Sequence, residues 1–86
     1  MISKVEYFGA TWCGPCKNFK PVLIDTVGEN TLEIFDVEES QDIATSRGVR
    51  SIPTTIFYDE DGEEVKRMVG SRNKSELEKI LHSETI

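Results

Sequence analysis

Six glycines punctuate this 86-residue chain, almost all at the ends of periodic segments, and they limit what it can fold into. Seven stretches lie between them, each short enough to be one element. Residues 4–8 are rich in β-formers and stop at Gly9, which predicts a strand. From Pro15 onward Phe19, Val22, Leu23 and Val27 recur at helical spacing up to Gly28, expected in the αL conformation at the C′ position. Pro21 removes a backbone donor inside that helix and is expected to bend it near residues 17–21 without breaking it. Residues 31–37 carry Leu32, Ile34, Phe35 and Val37, a nearly continuous apolar set that predicts a buried strand. Residues 40–47, ending at Gly48, read as a short second helix with Ile43 and Ala44 inward. Residues 54–58 and 63–69 read as an antiparallel pair joined around Asp59-Glu60-Asp61-Gly62. Asn73 with Glu76 three residues on resembles a capping box, and Leu77, Ile80 and Leu81 form one face of a third helix. Residues 83–86 are expected to fray.

The order βαβαββα makes the first two strands parallel through a right-handed crossover and adds a hairpin on the other side of the first strand. The predicted class is α/β, a four-stranded mixed sheet flanked by three helices. Residues 1–86 leave room for one domain and one core, expected to be a monomer. Ten basic against sixteen acidic residues give a net charge of −6, which argues against nucleic acid or an anionic membrane as the main partner. No run has the length of a signal-peptide core or a membrane span, so the expected compartment is the cytoplasm.

In that compartment two cysteines three positions apart point to catalysis or metal rather than a structural staple. Cys13 and Cys16 sit in Trp12-Cys13-Gly14-Pro15-Cys16, where the first strand gives way to the first helix. Unsatisfied N–H groups and the helix dipole favour a thiolate there, and thiols in such pairs have pKa values lowered to as little as ~3.5. Cys13, just before the first turn, is the expected nucleophile in thiol–disulfide exchange, and the less exposed Cys16 the resolving thiol. Gly14 and Pro15 put no bulky side chain over the sulfurs, leaving an open dithiol, and Pro15 pre-sets a helical φ. A zinc site normally needs four ligands, and the only histidine, His82, lies in the last helix with no second cysteine pair, so no metal is expected.

Trp12-Cys13-Gly14-Pro15-Cys16-Lys17, Pro21 five residues after Cys16, Arg50-Ser51-Ile52-Pro53-Thr54 and Val69-Gly70 together resemble the thioredoxin family over nearly the whole chain. The resemblance implies the thioredoxin fold and a protein-disulfide reductase with no bound cofactor, using NADPH only indirectly through a thioredoxin reductase. Ribonucleotide reductase is a client it suggests. It further implies a cis Ile52–Pro53 peptide beside the dithiol, with the Ile52 backbone pairing with an extended substrate. Relative to ordinary members the chain lacks an opening strand and helix and resembles the minimal core of the family. Its size is closer to glutaredoxin, so a glutathione-dependent reductant is one alternative, although Gly14-Pro15 and the absence of a Gly-Gly/Asp segment after Val69 speak against it. A partner-binding module without turnover is another.

Several roles stay open at this level. The aspartate that the family keeps six residues before the first cysteine corresponds to Tyr7, a phenol with an ordinary pKa of ~10 and a poor proton acceptor. Tyr7 is either core packing or a hydrogen-bonding modulator, and Glu6 faces the other way. Trp12 either packs or covers the site, and Gly70 is either a bulge or a backbone contact for substrate. Residues 1–24 carry a net +2 while residues 25–46 carry −7. Lys17 and Lys20 are therefore either solvated helix charges or a means of favouring the thiolate and attracting acidic partners.

Overall fold

In the computed structural model, which describes residues 2–83, the sheet is built around β1 (Lys4–Gly9). Alternation puts Val5 and Tyr7 on one face of β1 and Glu6 and Phe8 on the other, and all four are buried. One edge of β1 pairs in parallel with β2 (Leu32–Asp36), setting Tyr7 opposite Ile34. The other pairs antiparallel with β3 (Thr54–Tyr58), setting Tyr7 opposite Thr55. β3 continues antiparallel into β4 (Glu64–Val69), giving the order β2-β1-β3-β4. With three helices this is the βαβαββα arrangement expected from the sequence.

The helical periods resolve into two layers. α1 (Gly14–Val27) buries Cys16, Phe19 and Leu23, and α3 (Lys74–Ser83) buries Leu77; both pack on Val5, Tyr7, Phe57 and Met68. α2 (Gln41–Ser46) covers the opposite face, where Ala44 meets Phe8 and Ile56. The Asn73 side-chain oxygen accepts the Glu76 N–H at 2.9 Å, as the capping signal anticipates. α1 runs unbroken through Pro21. Gly28 departs from expectation: its φ of 92° is left-handed but its ψ of 147° is not that of αL. The fraying expected at the C-terminus falls, beyond Ser83, outside the described residues.

β2 is not the buried strand its apolar run predicts. It lies at the sheet edge with only β1 beside it. Phe35 and Val37 pack against the α2 layer and Leu32 against the α1 layer, but Ile34 stays 43% exposed. Apolar content alone does not reveal whether a strand is covered on both faces.

The Glu6 side chain is 1% exposed on the α2 face. Arg47, the residue that caps the C-terminus of α2, donates to both its oxygens, at 2.8 and 3.1 Å. The Tyr58 hydroxyl donates at 2.5 Å, and Lys4 lies 3.3 Å away. Burial alone would raise the Glu6 carboxyl, but these donors outweigh it and hold the group at about 2 instead of its ordinary 4.5. Burial and the adjoining carboxylate in turn push the Tyr58 phenol up to about 12.

A carboxyl lowered in the folded state stabilises the protein above its unfolded pKa, and that contribution is lost as pH falls. Thermal unfolding followed from pH 7 downward is therefore expected to lose about 3 kcal/mol from Glu6 as the pH drops from about 4.5 to 2. Glu6→Gln is expected to be less stable at pH 7 and to show a shallower acid slope. An unchanged slope in the variant would refute the role given to Glu6.

Candidate redox site

β1 ends at Gly9, and four residues later Cys13 is the N-cap of α1, with extended φ and ψ of −84° and 111°. Its sulfur accepts the Cys16 N–H at 3.2 Å, and its carbonyl accepts the Lys17 N–H at 3.3 Å. One amide that the first turn would leave unpaired is thus directed at Cys13 Sγ, while Pro15 in that turn has no N–H to satisfy. Cys13 and Cys16 form a disulfide across a Cα–Cα distance of 5.2 Å. Cys16 is the more enclosed, at 3% exposure, but Cys13 is only 6% exposed, so the pair is less open than the sequence suggests. Both sulfurs are part of the apolar cluster between the sheet and α1.

The segment before β3 closes on the same place. Ile52–Pro53 is cis, and Ile52 packs against the cluster that contains both cysteines. Thr54 Oγ1 donates to the Ser51 carbonyl at 2.6 Å, and the Gly70 N–H donates to the Pro53 carbonyl at 2.8 Å. Gly70 has φ 89°, a backbone shape that disfavours any side chain. Trp12 is 64% exposed and shares with Ile52, Val37 and Val49 a cavity of about 220 Å³. An ideal Cβ on Gly14 meets nothing within 4 Å, so no packing within the chain requires glycine there. Lys17 lies on the opposite flank with Lys20, along a cavity of about 360 Å³ behind Cys16.

Tyr7 comes from β1 beneath the disulfide. Its ring packs near Phe19, with centroids 6.3 Å apart, and its hydroxyl donates to the Cys16 carbonyl at a long 3.5 Å. Burial pushes the phenol above its ordinary 10. The sequence marks Gly9 only as a strand stop and leaves its packing role unseen. A Cβ there would lie 2.6 Å from the Tyr7 hydroxyl and 2.9 Å from the ring carbon bearing it, so Gly9 is the space the ring occupies. Two residues of one strand on one face are adjacent, and a bulky residue followed at i+2 by glycine is the available signal.

Among the described residues no group of three or more His, Cys, Asp or Glu is arranged to hold a metal ion, and no helix is long and apolar enough to cross a membrane.

A disulfide at a helix N-cap, set at the end of a central strand and faced by a cis-proline loop, defines a dithiol oxidoreductase of the thioredoxin fold. The thioredoxin family model matches residues 3–83. Chicken thioredoxin is 42% identical over 79 residues, spanning 88% of this chain and 73% of its own. A thioredoxin of Mycobacterium bovis is 42% identical over 74 residues, covering 81% of this chain and 63% of that one. The solved structure of a point-mutant thioredoxin from Halobacterium salinarum superposes with a TM-score of 0.78 at 32% identity, over 92% of this chain and 71% of the other. The chain belongs to the thioredoxin family, whose members are disulfide reductases, and it has a redox-active cysteine pair.

Gly9→Ala is expected to destabilise the protein by about 1–3 kcal/mol through the clash with Tyr7. Part of that loss should return in Gly9→Ala/Tyr7→Phe, so denaturant titration of the four members of the cycle should be non-additive. Strict additivity would show that Gly9 and Tyr7 do not share this space.

Proposed function

We propose that residues 1–86 act as one monomeric domain that reduces protein disulfides in the cytoplasm and is re-reduced by a thioredoxin reductase drawing on NADPH. The observation that carries this reading is the Cys13 sulfur at the N-cap, receiving the Cys16 N–H at 3.2 Å. In the reduced protein that amide and the helix dipole favour a Cys13 thiolate over the thiol. The thiolate attacks one sulfur of a client disulfide; the client S–S bond breaks and its other sulfur leaves as a thiolate that takes up a proton. Cys16, having lost its proton, attacks Cys13 Sγ and expels the second client thiolate. Two electrons pass to the client, and the Cys13–Cys16 disulfide of the structure is the product.

The surrounding residues are assigned to holding the client. The open space above Gly14, the helical φ set by Pro15 and the exposed Trp12 let an extended segment approach Cys13. Ile52, held by the cis Pro53 loop, offers it backbone hydrogen bonds. The N–H of Gly70 is already engaged by Pro53, so what Gly70 offers a client is its carbonyl. Ribonucleotide reductase is one client that the family resemblance suggests. Lys17, in the first turn, supports the thiolate through its charge. Tyr7, with its phenol raised by burial, does not take the Cys16 proton at neutral pH and serves as packing under the site.

Cys13→Ser is expected to abolish insulin reduction, whereas Cys16→Ser should retain the first attack and accumulate mixed disulfides. Full turnover by Cys13→Ser would overturn the mechanism. Tyr7→Phe is expected to stay within a few-fold of the parent in turnover, and a selective loss in mixed-disulfide resolution would show that the phenol takes part. Supplying electrons from NADPH with thioredoxin reductase, against NADPH with glutathione and glutathione reductase, tests the proposed recycling; faster turnover with glutathione would replace it.

A further inference from the structure

The side chains that flank the disulfide carry the opposite charge to the rest of the chain. The cavity of about 360 Å³ at Cys16 is lined by Lys17 and Lys20, with Asp36 as its one carboxylate. On the Trp12 side the only ionisable side chain lining the cavity is Arg50. The linings of these two cavities, one touching Cys16 and the other Trp12, thus hold three cations and one carboxylate, in a chain with ten basic and sixteen acidic residues. Lys17, Lys20 and Arg50 are exposed, and none has an ion-pair partner among the described residues. Most other basic side chains, Lys4, Arg47, Arg67, Arg72 and Lys74, are within ion-pair distance of carboxylates.

These positions are unfavourable for folding alone. The first turn of α1 contains no acidic residue, although a helix N-terminus favours anions by about 0.3–1 kcal/mol, and Lys17 lies close to that end. Lys20 is three residues on, where like charges on a helix repel by a few tenths of a kcal/mol. Asp36, the nearest carboxylate in the lining, accepts the Glu38 N–H at 2.8 Å and the Glu39 N–H at 3.3 Å with one oxygen, organising its own turn. Unneutralised cations on both flanks of a reactive pair produce a local positive potential in a negative molecule.

We propose that this surface selects disulfides carried on acidic polypeptide segments, with Lys17 and Lys20 on one flank and Arg50 on the other as the specificity-determining charges. The proposal rests on the disulfide-reductase reading above and adds which clients are preferred. The acidic flanks of the client meet these cations before the sulfurs meet, so the preference falls mainly on the encounter rate and weakens with salt.

The test uses three synthetic peptides, each closed by one disulfide and alike except for Glu, Gln or Lys at the flanking positions. The reduced protein is mixed with each in single turnover, and reduced peptide is measured after acid quenching. Reduction of the Gln peptide tests the reductase reading by itself; only the rate ratios test the charge preference. At low salt the Glu peptide is expected to react about tenfold faster than the Lys peptide, with the ratio falling toward one at high salt. Lys17→Gln/Lys20→Gln and Arg50→Gln should each reduce the ratio. Lysines that acted only on the Cys13 thiolate would change all three rates together and leave the ratio unmoved, which would overturn the proposal. So would a ratio near one in the parent protein.

Discussion

The hydrogen bonding of β1 on both edges is the constraint on which the rest of the structure depends. With β2 on one side and β3 on the other, neither edge of β1 is free, and both faces of the strand are buried. A strand so held fixes where its C-terminal end emerges, and that end delivers the chain to the Cys13 N-cap. The Cys13 N–H still reaches back to the Ala10 carbonyl at 3.2 Å, so the turn between strand and helix is tied at both ends. The sulfur is thus positioned by a short turn anchored on the central strand at one end and on α1 at the other.

The two faces of β1 hold different kinds of chemistry. Tyr7 faces α1 and supports the disulfide from below, in a layer whose other buried members besides the cysteines are Val5, Phe19, Leu23, Phe57, Met68 and Leu77. Glu6 faces α2 and binds Arg47, fastening the short second helix to the sheet. A buried charge with three donors is satisfied, whereas the same carboxylate on the α1 face would lie in an apolar layer. Alternation along one strand thus keeps a strongly held carboxylate away from the dithiol, and the polar group beneath Cys16 is a neutral phenol.

Much of this is legible in the sequence because the signals are local. Helical spacing from Phe19 to Val27, the Asp-Gly pair at 61–62 and the Asn73 cap each describe neighbours within a few residues, and each corresponds to an observed element. The cysteine spacing is also local, which is why the N-cap position of Cys13 can be read directly. The Glu6–Arg47–Tyr58 network cannot, since its members lie 41 and 52 residues apart and no periodicity links them. Ile34 escapes for a similar reason: its run reads as buried, but exposure is decided by sheet order and by which helices cover each face. Gly9 has a local signal, yet glycine at a strand end has two explanations, and only the Tyr7 ring distinguishes them.

The enclosure of Cys13 connects fold to reaction. In the disulfide its sulfur is bonded to Cys16 and receives a backbone amide, and little of the residue meets solvent. With nothing within 4 Å of a Cβ on Gly14 and Trp12 64% exposed, the proposed reaction has its approach to the pair past these two residues. On that proposal the chemistry of the rim bears on which clients react. In the proposed function Trp12 and Ile52 would supply apolar contact to a disulfide-bearing segment, and such contact discriminates poorly among clients. Charge acts earlier and over a longer range, so under the proposed preference the choice among clients would rest with the cations near the dithiol rather than with the sulfurs.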